Sequence, residues 1–227
     1  MKEKIKKLVN KNPFLKDIID EMREKKKRFS SKFDKNIIGK ENSLKIDPTA
    51  FFNNCVIDID GNNNTVIVDK NCQLNNLKIH IQGNDNLLVL NESVKFNGLF
   101  WLTGNKGKIE IGAGTTTEYN VMLQISEDNL SIQVGEDCMF SSNILVWTQD
   151  WHHIYDLEGN LINESKSVII KDHVWIGYDS KILKGVTIGS NNIIGAGAVV
   201  TKSYEEENVV IAGNPGRIVK RDITWKR

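Results

Sequence analysis

Near the C-terminal end of the chain aliphatic residues recur at every sixth position: Ile170, Ile176, Ile182, Ile188, Ile194 and Val200. An α-helix repeats its faces about every 3.6 residues and a strand alternates its side chains one by one, so neither gives this period. A triangular solenoid does, when each side takes six residues and turns one aliphatic side chain inward. The residues four places after each inward position, Val174, Ser180, Val186, Asn192 and Ala198, are small or of moderate size, as the corners of a narrow prism require. Gly177, Gly189 and Gly195 directly follow inward residues. The pattern predicts a parallel β-helix in which each coil pairs with its neighbours and none is stable alone.

A looser repeat precedes it. Ile59 to Val68, Ile81 to Leu90 and Leu102 to Ile111 align on the glycines at 61, 83 and 104, and a degenerate copy runs from Ile125 to Val134. Steps of 21 to 23 residues correspond to three sides with a few extra residues at one corner, which the Gly-Asn pairs supply. Asn accounts for 26 of the 227 residues and Pro for only 3, which suits a fold with many tight left-handed corners. The solenoid is interrupted once, by a polar loop at 148–166. Long excursions from a rigid scaffold tend to carry function.

The first residues read differently. Ile5, Leu8 and Val9, then Phe14, Leu15, Ile18, Ile19 and Met22, recur at helical spacing, which predicts two amphipathic helices broken near Asn12-Pro13. The expected organisation is therefore a helical segment at 1–40, a β-helix at 41–204 with its loop at 148–166, and a tail at 205–227. Through Arg28 the helical segment holds eleven Lys/Arg and five Asp/Glu. The whole-chain charge of +1 thus sums a basic start and a slightly acidic remainder. That balance argues against a nucleic-acid partner, while leaving the basic helices either as a cap docked on the solenoid or as a contact with an anionic surface.

Cys55, Cys72 and Cys138 are odd in number and show no CxxC spacing, so neither a disulfide framework nor a zinc ribbon is expected. No stretch approaches 18 apolar residues and the Lys-rich start lacks the apolar core of a signal peptide. A cytoplasmic location is expected, with the option of peripheral contact at the inner membrane face.

The six-residue repeat, VWIG at 174–177, GAGAVVTK at 195–202 and AGNPGR at 212–217 together resemble the hexapeptide-repeat acyltransferases. More narrowly they resemble the branch holding maltose and galactoside, xenobiotic and bacterial polysaccharide O-acetyltransferases. The likeness covers about residues 110–221, and the order of four motifs makes it specific. It implies a left-handed β-helix, a homotrimer, and acetyl transfer from acetyl-CoA at sites between subunits.

The interrupting loop carries suitable chemistry. It contains TQDWHHIYD, in which His152 and His153 stand between Asp150 and Asp156. Acetyl transfer to a hydroxyl needs a base that titrates near neutral pH, and His is the side chain matched to that task. The resemblance places the base in this loop. The Asp-x-His-x-Ile pattern of the polysaccharide-modifying members puts it at His152, and alignment on the sugar acetyltransferases leaves His153 as the alternate. Asp150 or Glu164 is the expected orienting carboxylate.

On the coenzyme side the resemblance implies a backbone amide of Tyr178 facing the thioester and Ala196 along the pantetheine arm. Thr201 and Lys202 are implied near the nucleotide, with Arg217 and Lys220 meeting phosphate and Trp175 packing along the coenzyme or on the trimer face. The acceptor side departs from the sugar members, which carry an Asn-aromatic-Asn segment where this chain reads Glu118-Tyr119-Asn120. Glu118 and Asn120 are the candidate acceptor contacts, and neither maltose nor galactoside is carried over as substrate.

Zinc chemistry of the carbonic anhydrase type would need two histidines five residues apart, and His80, His152, His153 and His173 offer no such pair, so no metal is expected. The expected activity is O-acetylation of a sugar hydroxyl in a bacterial surface glycan or its precursor. N-acetylation of a nucleotide-linked amino sugar, or a non-catalytic binding solenoid, are the competing readings.

Overall fold

The computed structural model describes residues 33–227, and the two expected N-terminal helices lie outside the described residues. Three sheets form the sides of a prism. The first sheet has eight strands, running from Phe33–Ile38 to Val199–Val200. The second has seven, from Ser43–Ile46 to Thr187–Ile188, and the third has nine, from Phe51–Asn53 to the terminal pair Val210–Ala212 and Arg217–Lys220. Among the described residues every pairing between these strands is parallel except that terminal pair. The result is a parallel β-helix.

Residues 33–38, inside the segment assigned to the helices, already form a strand, because Phe33–Ile38 joins Cys55–Asp60. It also continues past residue 204, since Val210–Ala212 adds to the third sheet.

The register explains both sequence periods. Ile57, Ile79, Phe100, Leu123, Val146, Ile182 and Val200 are paired in one column of the first sheet and point inward. Their spacing is 21 to 23 residues in the early coils and 18 between Ile182 and Val200, where each side takes six. All six aliphatics of the hexad register are buried, as are Val174, Ser180, Val186, Asn192 and Ala198 at the corners. Each large side chain moved out of water contributes about 1.5–3 kcal/mol, and the stacked columns make one continuous core.

The extra residues of the early coils go to the corner between the first and second sheets. There Gly61 and Gly83 adopt φ of +143° and +130°, and a Cβ on Gly61 would fall 1.8 Å from the Gly83 carbonyl oxygen. The asparagines that follow form two ladders. On the outside, Asn62, Asn84 and Asn105 each accept a backbone N–H of the preceding coil at 2.9–3.0 Å. On the inside, the buried Asn64 and Asn86 donate to the carbonyls of Gly83 and Gly104 at 2.8 and 2.9 Å. A buried amide with its bonds made adds stability, whereas one left unpaired costs it.

The three cysteines are free and buried. Burial pushes the Cys72 thiol up to about 11 and the Cys138 thiol up to about 12.

A second lock runs down the corner between the second and third sheets. The chain after Asp222 descends past left-handed corner residues of several coils, bonding Asn208, then His173, then Asp137. Trp225 stacks on His173 at 4.0 Å with an interplanar angle of 7° and donates its indole N–H to the His173 carbonyl at 3.1 Å. Arg227 donates to Asp137 and Thr116 side chains and to the Cys138 carbonyl, each at 2.7 Å.

Candidate active site

The interrupting loop leaves the first sheet after Leu145–Trp147 and returns to the second at Val168–Ile170. Its base is closed by Lys166 N–H donating to the Thr148 carbonyl at 2.9 Å. Thr148 and Gln149 are buried there, with the Thr148 hydroxyl bonded to Gln149 Oε1 at 2.7 Å. Beyond them the chain forms a short hairpin, with Tyr155 bridged antiparallel to Leu161. Its tip is organised by the Asp156 carboxylate, which accepts the N–H groups of Glu158 and Asn160.

The two adjacent histidines differ in their surroundings. The His152 backbone is held on both sides: its N–H donates to the Asp150 carbonyl at 2.8 Å and its carbonyl accepts Asn163 Nδ2 at 2.8 Å. Its imidazole is exposed and has no partner among the described residues. His153, in contrast, has Glu127 Oε1 at 3.7 Å from Nε2 and the Tyr155 hydroxyl at 3.4 Å from Nδ1. Of the two rings, that of His152 keeps both nitrogens clear.

The expected carboxylate–imidazole contact is not made by either acid. Asp150 Oδ2 lies 2.5 Å from Lys184 Nζ and 3.1 Å from Asn163 Nδ2, and the Lys184 hydrogen bond holds its carboxyl below the usual range. Glu164 is exposed and contacts no imidazole. Asn163 and Lys184 were not singled out by the sequence, since their partners become neighbours only when the loop folds back on the next coil.

Tyr178 and Ala196 occupy the other end of the first sheet, at its corner with the third. Their backbone N–H groups donate to no acceptor among the described residues, although the Tyr178 carbonyl accepts Gly197 N–H at 2.7 Å. The Tyr178 hydroxyl closes a ladder in which Asn120 donates to Asn143 at 2.9 Å and Asn143 to Tyr178 at 3.0 Å. Asn120 thus serves the corner, while Glu118 beside it is exposed.

At the end of the solenoid, Lys202 Nζ stands 5.5 Å over the Tyr204 ring. The Tyr204 hydroxyl bonds the Gly216 carbonyl, which also accepts Arg217 Nη1 at 2.8 Å. Lys202 and Arg217 are thereby joined through one buried tyrosine, with Thr201 exposed alongside and Lys220 exposed at the end of the last strand. The Trp175 ring lies 6.1 Å from Trp225, and its buried indole N–H has no acceptor among the described residues. The other two histidines are engaged elsewhere, His80 with Asp58 at 3.2 Å and His173 with Asp137 at 2.7 Å.

One chain therefore does not bring all the candidate residues together. His152 projects from the corner between the first and second sheets, whereas Tyr178 and Ala196 lie at the corner between the third and first, a full side of the prism away.

Residues 167–202 match the family model described as bacterial transferase hexapeptide (six repeats). The chain is 34% identical to the polysialic acid O-acetyltransferase OatWY over 86% of its own length and 92% of that structure, with a TM-score of 0.78. This chain belongs to the hexapeptide-repeat acetyltransferases. It is also 32% identical over 128 residues to the polysialic acid O-acetyltransferase of Escherichia coli O1:K1, covering 56% of this chain and 41% of that protein. To the galactoside O-acetyltransferase of Lactococcus lactis it is 36% identical over 115 residues, 51% of this chain and 53% of that one. The chain thus spans about half the length of the curated relatives it matches. The match to OatWY takes in most of this chain, so the resemblance reaches beyond the hexad coils into the Asn-laddered ones.

Proposed function

We propose that this chain is an acetyl-CoA-dependent O-acetyltransferase acting on a sugar hydroxyl, in a bacterial surface glycan or its precursor. The observation that carries the reading is the His152 imidazole, free at both nitrogens on a backbone fixed from both sides. In this reading His152 accepts the proton of the acceptor hydroxyl as the oxygen attacks. The co-substrate supplies the acetyl group as a thioester, whose C–S bond breaks as coenzyme A leaves as the thiol with the proton that His152 returns. The unpaired Tyr178 amide is the donor for the oxygen that gains charge, a role a main-chain N–H fills whatever its side chain. The free Ala196 amide suits the polar pantetheine arm, and the cations Lys202 and Arg217, with Thr201 and Lys220, suit the nucleotide phosphates. Glu118 and Asn120 are proposed on the acceptor side, and Trp175 along the coenzyme.

The reading includes a left-handed homotrimer. His152 and the Tyr178 amide lie on different corners of one prism, so a shared site needs the loop of one copy against the amides of the next. The same loop exposes Trp151, Ile154, Tyr155, Leu157 and Ile162, an apolar set that a neighbouring copy would cover. Among the described residues no helix is long and apolar enough to cross a membrane. A cytoplasmic location is proposed, with contact of the basic N-terminus at an anionic surface.

The test is transfer of labelled acetyl from acetyl-CoA to free sugars, nucleotide sugars and capsular oligosaccharides, read by mass spectrometry. Product on a hydroxyl is expected. Product only on an amine would replace O- by N-acetylation, and no transfer together with no melting shift at millimolar coenzyme would overturn the enzyme reading.

A further inference from the structure

Three polar side chains from separate parts of the chain converge beneath His152. Lys184 belongs to the hexad coil just after strand Lys181–Ile182, and its side chain is mostly covered. It reaches back to the loop and donates to Asp150 Oδ2 and to the Asn163 carbonyl, both at 2.5 Å. Asn163, on the returning limb, donates from Nδ2 to the His152 carbonyl at 2.8 Å and to Asp150 Oδ2 at 3.1 Å. Its Oδ1 accepts the Ile154 N–H at 2.6 Å. Asp150 completes the ring by accepting the His152 N–H on its carbonyl.

These bonds fix the peptide groups before and after His152 and the one after His153, while none touches either imidazole. The left-handed Trp151, at φ 68°, turns the chain between Asp150 and His152. A β-branched or bulky residue holds that conformation only when its neighbours impose it. The clamp imposes it, and the rigid solenoid supplies the anchor through Lys184.

We infer that Asn163 and Lys184 are positioning residues that set the direction of the His152 imidazole, and that Asp150 serves the clamp and does not pair with the ring. This rests on His152 as the base. A reacting geometry displaced by about 1 Å loses on the order of 10²-fold in rate, whereas a remote coenzyme contact is untouched. Removing the clamp therefore acts on turnover and leaves coenzyme binding as it was.

The experiment compares full-length wild type with Asn163→Ala and Lys184→Met, measuring kcat, the KM for acetyl-CoA, and limited proteolysis within 150–163. The expected result is a kcat about 10- to 100-fold lower in each variant, with KM for acetyl-CoA within twofold, unchanged melting temperature and faster cleavage of the loop. The inference is overturned if both variants keep the wild-type kcat. It is equally overturned if kcat, KM and melting temperature change together, which marks a general structural role. If the wild type transfers no acetyl, the function reading has failed. Proteolysis still decides the clamp: equal cleavage of all three proteins refutes it.

Discussion

Lys184 Nζ and Asp150 Oδ2 lie 2.5 Å apart, linking the start of the interrupting loop to the coil that follows it. The pairing, chiefly through the Lys184 hydrogen bond, lowers the Asp150 pKa against an opposing desolvation. A carboxyl whose folded value lies below its unfolded one adds stability above the unfolded value, near about 3.9, and loses it as pH falls through the folded value. Asp150 therefore stays ionised from about pH 5 to 8, so an acid limb of kcat/KM in that window does not belong to it. Asp150→Asn is expected to leave the apparent pKa of that limb in place while lowering the plateau. A limb that moves by a full unit would assign it to Asp150.

His152→Ala is expected to lower kcat by about 10²-fold or more, the scale of losing a general base. His153→Ala removes only the contacts to Glu127 and Tyr155 and should cost less than tenfold by the same scale. Steady-state rates on the best acceptor decide it. The reverse ranking would make His153 the base.

Trp225 is buried against His173, and its indole N–H is bonded. Trp225→Ala should therefore destabilise the folded chain by about 3 kcal/mol or more, seen as a lower melting temperature by circular dichroism. Trp225→Phe keeps an aromatic ring on His173 but loses the hydrogen bond and part of the buried indole, and should cost less than the Ala variant, about 1–3 kcal/mol. Equal melting temperatures for wild type and the Ala variant would show that the tail does not brace the coils.

At the laddered corner Gly83→Ala should damage folding more than Asn64→Ala. The added Cβ would sit 1.9 Å from the Gly104 carbonyl oxygen, so two coils must separate. Losing the Asn64 amide leaves the Gly83 carbonyl and the buried Asn86 N–H unpaired, at about 1–3 kcal/mol each. Soluble yield and urea midpoints of the two variants measure the order.

The coils themselves were legible in the amino-acid order because their physics is local. Ile170 through Val200 repeat at the length of one side and the glycines at 61, 83 and 104 at the length of a coil, and the columns and corners follow from those lengths. The loop was legible as a break in the same repeat, and the two histidines within it as candidates for its chemistry. Which histidine stands free, and what holds it, depended on the tertiary structure. Asp150, Asn163 and Lys184 meet only after the loop folds back and the next coil is laid down, and no period records such a meeting. The same holds for Trp225 on His173 and Arg227 on Asp137: contacts between coils depend on the path of the chain in space, whereas the coils depend on spacing along it.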